Sequence, residues 1–170
     1  MILIAILLML PDLKTVAKVD LQKYSGAWYE IARLPNKFQK DCAGDVTANY
    51  TLNGDGSIQI VNRCREAGKS KLKEAEGAGR VAKEDNGSNS VLEVRFAPAI
   101  LSFLEGVWGD YRIIALDDKY QYAVVGSNDR KYLWVLSRSK TLSDDIYRKL
   151  LTDASKQGFK TDRVERTPQN

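Results

Sequence analysis

The sequence contains no histidine, and this one absence removes several chemistries. Ser-His-Asp and Cys-His catalysis, His-ligated zinc and a His-ligated haem are excluded. With only two cysteines, a metal site built from cysteine alone is excluded as well, and no metal or other cofactor is expected. Catalysis by Asp, Glu, Tyr, Lys or a lone Cys is what remains on the enzymatic side. No basic run is interleaved with aromatics, so nucleic acid is not an expected partner. The net charge of +4 is mild. It suits an anionic ligand or membrane surface, and equally an ordinary solvated surface. Long apolar runs are also lacking. Met1–Leu10 is continuously apolar and ends at Pro11, too short to span a bilayer but right for the core of an export signal. Thr15-Val-Ala17 offers small side chains for a signal peptidase. Residues 1–17 are therefore expected to be a signal or anchor segment, the alternative being a fixed apolar strand.

What is present fits one domain with a substantial core: 170 residues, 44% hydrophobic and 28% charged. From Trp28 onward the chain alternates with a period of two. Trp28, Glu30 and Ala32 fall on one face, and Tyr29, Ile31 and Arg33 on the other. Gly26 lets the backbone turn tightly just before the indole. Leu34–Asp41 reads as a loop, with Pro35 and Asn36 ending the strand. Val46–Leu52 alternates cleanly, and Asn53-Gly-Asp-Gly56 is a strong hairpin turn into Ile58, Ile60 and Asn62. Leu72–Ala82 follows, where Ala75, Gly77 and Gly79 leave room for a ligand or a bend. Then come Val91–Phe96, Tyr111–Leu116, Tyr120–Gly126 and Lys131–Ser137. Eight successive strands with short connections are the pattern of an all-β, antiparallel up-and-down barrel.

After the strands the period changes. Thr141-Leu-Ser143 precedes Asp144-Asp145, an N-cap with acids in the first turn. Ile146, Leu150, Leu151 and Ala154 recur at helical spacing, and Gly158 ends the run. This predicts one C-terminal helix packed outside the barrel, on a wall that Ile114 and Leu116 supply. Phe159–Val164 is expected to add a short ninth strand.

Three stretches carry a resemblance: Lys23-Tyr-Ser-Gly-Ala-Trp-Tyr-Glu-Ile-Ala-Arg33, Ala115-Leu-Asp-Asp-Lys-Tyr120 and Tyr132-Leu-Trp-Val-Leu-Ser-Arg138. In this order and at these separations they resemble the signature of the lipocalin family, in particular the bacterial outer-membrane (Blc-type) lipocalins, over residues 19–168. The resemblance implies a calycin barrel with one closed end. There Trp28 and Arg138 form a cation–π pair, with Gly26, Asp117 and Tyr120 belonging to the same structural motif. It also implies a cavity rather than a filled core, and a carrier of small hydrophobic molecules in the bacterial envelope. The family's lipid anchor, a cysteine just after the signal, has no counterpart before Cys42.

Strand parity taken from Trp28 and Arg138 predicts the ligand-binding wall: Tyr50, Ile60, Leu92, Val94, Phe96, Tyr111, Ile113, Tyr122, Val124, Tyr132, Trp134 and Leu136. Such an apolar, aromatic-lined volume suits an acyl chain, and fatty acids or lysophospholipids are the expected ligands. Glu30 faces inward, where it either hydrogen-bonds Tyr hydroxyls or water, or serves as a catalytic acid. Cys42 and Cys64 flank the hairpin at Gly54 and fall near each other in adjacent strands, within reach of a disulfide; the rival reading is a reactive thiol. Two functions compete with the non-enzymatic carrier: a Cys- or Glu-dependent lipid-modifying enzyme, and an envelope interaction module with a solid barrel. Connections of an up-and-down barrel alternate ends, so Pro98–Gly109 lies at the mouth. Its Ile100, Leu101, Phe103, Leu104, Val107 and Trp108 are expected to meet a membrane surface or a second copy in a homodimer, or to fold back as a cap.

Overall fold

The computed structural model describes residues 11–96 and 105–170. Its strands are β1 (Gly26–Arg33), β2 (Cys42–Leu52), β3 (Ile58–Glu66), β4 (Leu72–Val81), β5 (Val91–Arg95), β6 (Gly109–Leu116), β7 (Tyr122–Gly126), β8 (Leu133–Ser137) and β9 (Glu165–Arg166). Each of the first seven pairs antiparallel with the next, and β1 closes the barrel by pairing with both β2 and β8, with β9 on its far end. A one-turn helix, α1 (Leu21–Tyr24), leads into β1, and α2 (Asp144–Lys156) follows β8. The Asp20 carboxylate caps α1 by accepting from the Gln22 and Lys23 amides, and Ser143 caps α2 through the Ile146 amide.

Two apolar layers result. Inside the barrel, Trp28, Tyr50, Ile60, Leu92, Tyr111, Ile113, Val125 and Leu136 pack together with Tyr24 of α1. Outside, Tyr147, Leu150 and Ala154 of α2 cover Ile31, Ala32, Val124, Leu133 and Val135, with Phe159 beside them. The chain before α1 passes from the outer layer, where Leu13 is buried, to the inner cluster, where Val19 is buried beside Tyr24 and Trp28. The Leu13 amide donates to the Asn128 carboxamide oxygen, and Val16 and Val19 donate to the carbonyls of Ile113 and Ser88.

Several expectations change because the ladders carry bulges and one wall has two buried faces. A register shift between Glu30 and Ala32 puts Ile31 and Ala32 both under α2, so Arg33, opposite Trp134, takes the inward place expected for Ala32. A second shift between Ile113 and Ala115 turns Ile114 and Ala115 outward and Leu116 inward. Ile114 thus supports α2 as expected, and Leu116 does not. Tyr122 and Val124 do not face the lumen: they lie in the layer under α2, and Ala123 and Val125 are the inward residues of β7. Tyr-Ala-Val-Val-Gly is apolar on both faces because both are covered, so alternation carried no sign of which face was which. The ninth strand is Glu165–Arg166, beside Ala32 and Arg33, with a 3-10 turn at Thr161–Arg163 in place of the expected extended chain. Of the loop expected at the mouth, Ile100, Leu101, Phe103 and Leu104 lie outside the described residues.

Candidate ligand site

The closed end is assembled around one side chain. Trp28 is fully buried. Its Nε1 donates to the Tyr24 carbonyl at 2.8 Å, and the Arg138 guanidinium lies 3.8 Å from its ring centroid. Arg138 also donates Nη1 to the Ala27 carbonyl and Nη2 to those of Lys23, Tyr24 and Ser25. It thereby serves the carbonyls left open where α1 ends. Gly26 is required here: its φ is +95°, and a Cβ would stand 3.3 Å from Arg138 Nη1. Tyr120, with a φ of +58°, receives the Asp20 amide on its hydroxyl, and Asp117 accepts from the Lys119 and Gln121 amides. The five motif residues are thus brought together.

Directly above lies a line of three phenols. The Tyr24 and Tyr111 hydroxyls are 2.8 Å apart, and Tyr111 donates to Tyr50 at 3.0 Å. Burial pushes all three up: Tyr50 to about 12, Tyr24 and Tyr111 well above the usual phenol value. Neighbouring phenols add to the rise at Tyr24 and Tyr111, and Glu30 adds to it at Tyr50. These groups stay neutral at physiological pH. Ile60 and Leu92 stand opposite Tyr50 and Tyr111 on the neighbouring strands, and with Ile113, Val125 and Leu136 they are buried around the phenols.

Toward the mouth the inward side chains lose their cover. Val94, Trp134, Tyr132 and Asn62 are only half-buried, Ala75 is exposed, and Phe96, just beyond β5, is 45% exposed. Gly77 and Gly79 leave less room than their small size suggests, since added Cβ atoms would meet the Phe96 ring at 2.7 Å and Ile60 Cδ1 at 3.3 Å. On the opposite wall, Tyr132 stacks on Trp134 with centroids 5.8 Å apart, and Phe38 of the β1–β2 loop adds a third ring to the row. Trp108 lies at the mouth end as expected, but its ring rests against the guanidinia of Arg80 and Arg95.

Glu30 is buried in this half, and it is not alone there. Its carboxylate accepts from Arg33 Nη1 at 2.6 Å, Gln39 Nε2 at 2.6 Å and the Thr167 hydroxyl at 2.5 Å. Gln39 in turn accepts from Trp134 Nε1 at 2.8 Å, tying the β1–β2 loop to the lumen. Sequence reasoning missed Arg33, Gln39 and Thr167. Arg33 was hidden by the bulge, and the other two sit on segments without periodicity. Cys42 and Cys64 are bonded to each other, with Cα atoms 5.6 Å apart, so neither is a free thiol.

Residues 19–169 match the lipocalin-like domain model. The chain belongs to the lipocalin family. It is 34% identical to temperature-induced lipocalin-1 of Arabidopsis thaliana over 160 residues, 94% of this chain and 84% of the relative. It is 36% identical to the outer membrane lipoprotein Blc of Vibrio cholerae over 155 residues, 90% and 84% of the two chains. Among solved structures, insecticyanin from the tobacco hornworm Manduca sexta superposes with a TM-score of 0.71 at 22% identity, covering 93% of this chain and 85% of the other. That likeness speaks for the fold alone. Family membership carries the coarse function with it, which is binding or transport of a small hydrophobic molecule.

Proposed function

We propose that the barrel binds and carries one fatty acid or lysophospholipid molecule in a bacterial envelope, without chemical change to it. The observation that carries this reading is the gradient of burial along the inward faces. Inward side chains are sealed from Trp28 up to Leu136 and Ile113, then retain solvent contact at Val94, Asn62, Tyr132, Trp134 and Phe96. A hollow half with aromatic and aliphatic walls matches an acyl chain. At roughly 0.8 kcal/mol per buried methylene, about ten methylenes reach micromolar affinity after ordering costs. Tyr50, Ile60, Leu92, Tyr111, Ile113 and Leu136 form the floor under the ligand, and Val94, Phe96, Tyr132 and Trp134 its walls. Neither enzymatic candidate is favoured, because both thiols are in the disulfide and Glu30 is held by three donors.

Within residues 1–17 the apolar Met1–Leu10 run acts as the export or anchor part, since Leu13, Thr15 and Val16 are hydrogen-bonded to the barrel, and residues 19–168 act as the carrier. The mouth faces the membrane surface that supplies the lipid. Phe38, Leu72 and Phe96, all near that end, are exposed, with Lys37, Lys40 and Lys71 beside the first two in the chain, a pairing that suits anionic headgroups. Native mass spectrometry of the protein purified from bacterial membranes tests the reading. One lipid mass per chain is expected. A barrel that arrives empty, and that takes up no lipid from vesicles after delipidation, overturns it.

A further inference from the structure

The lumen contains polar groups that its own residues leave unmatched. Tyr24, Tyr50 and Tyr111 have one O–H hydrogen each, three in all, yet only two hydrogen bonds join them. Since Tyr111 donates to Tyr50, Tyr24 is left to donate to Tyr111, and the hydrogen without an acceptor is that of Tyr50. Tyr50 is only 9% exposed. A second group lies one step nearer the mouth on the neighbouring strand. Asn62 Oδ1 is buried with no hydrogen-bond partner. Tyr50 stands opposite Ile60, and Asn62 opposite Ala48, so the two polar residues are diagonal neighbours on the inward face. On its other side Asn62 stands opposite Ala75. Two alanines thus flank the carboxamide, and a rotation about its last bond turns either edge toward the lumen.

An unmatched donor and an unmatched acceptor on diagonal residues of one face are what a hydroxyl group between them satisfies, since its oxygen accepts while its hydrogen donates. A plain hydrocarbon chain filling the same space would leave both groups buried and unpaired, which disfavours it. The geometry points to a ligand that carries a hydroxyl along its buried acyl chain, accepting from Tyr50 and donating to Asn62. This deepens the carrier reading and rests on it: the barrel selects hydroxylated acyl ligands over unsubstituted ones of equal length.

The test uses delipidated protein and compares stearate with a set of hydroxystearates differing in the position of the hydroxyl, by calorimetry or competition. The best hydroxystearate is expected to bind at least about fivefold tighter than stearate. Tyr50→Phe and Asn62→Leu should each abolish that preference, bringing the affinities for the best hydroxystearate and for stearate together. Asn62→Leu should also melt at or above the wild-type temperature, because it removes an unsatisfied group rather than a bond. Stearate binding with no preference for any hydroxystearate overturns this inference and leaves the carrier reading standing, as does a preference that survives in both variants. A sharp fall in the melting point of Asn62→Leu overturns it too, by making Asn62 structural. Binding of neither lipid class overturns both readings.

Discussion

At the closed end, Trp28 has no solvent contact and Arg138 hands its donors to the carbonyls of Lys23, Tyr24, Ser25 and Ala27. At the mouth, Trp134 is half-buried, and its indole N–H goes to Gln39, a side chain of the β1–β2 loop. Both ends use a tryptophan and an arginine, yet the first pair ties consecutive backbone together and the second sits in a network reached from a loop. The first arrangement fixes a turn that the fold needs. The second leaves an aromatic wall facing space, with Glu30 and Arg33 neutralising each other at 2.6 Å. Under the proposed function, stability is concentrated at one end of the barrel and recognition at the other.

The largest effect that sharpens this contrast is at the closed end. Trp28→Ala should cost about 3–5 kcal/mol by leaving a cavity no neighbour can fill, with a matching fall in denaturant midpoint. Trp134→Ala should cost clearly less, since its ring is already half in solvent. Equal losses would erase the distinction between the ends.

Replacing Cys42 and Cys64 together by Ala should cost about 2–4 kcal/mol, because the bond closes a separation of 22 residues in the unfolded chain. Lipid affinity at temperatures where the variant stays folded should be unchanged. A loss of lipid turnover in that variant, with stability intact, would instead favour the enzymatic reading.

A smaller effect appears at high pH. The folded pKa values of Tyr24, Tyr50 and Tyr111 lie above the unfolded value of 10.0. Above pH 10 the unfolded chain therefore loses phenolic protons that the folded chain keeps, and stability falls as pH rises. For Tyr50, raised to about 12, the loss is roughly 2–3 kcal/mol between those two values and nothing below pH 10. Tyr50→Phe should flatten that limb of a stability–pH curve relative to wild type. A curve of unchanged slope would mean that the phenol is not buried in the folded state.

Much of the barrel was legible in the sequence because its informative residues act locally. Gly26 before Trp28, the Asn53–Gly56 turn and the change to helical spacing at Asp144 each declare their structure within a few residues. The barrel's inside was legible only where one face met water. Along β3, exposed Gln59 and Arg63 mark the outward side and leave Ile58 and Ile60 to the lumen. Along β7 both faces are covered, and Tyr122 and Val124 were assigned to the wrong one. The bulges near Glu30 and Ile113 shift parity without leaving a composition signal, so Arg33 was placed outside and Leu116 under the helix. Thr167 and Gln39 reach Glu30 across separations of 137 and 9 residues. No periodicity reports contacts of that kind.

The division of labour is tested most directly by titrating oleate into delipidated protein while following tryptophan emission. The hollow-mouth account predicts a saturable shift complete at one equivalent, lost in Trp134→Phe, with the fluorescence of closed-end Trp28 unmoved. A flat titration, or a shift that survives Trp134→Phe, would contradict it.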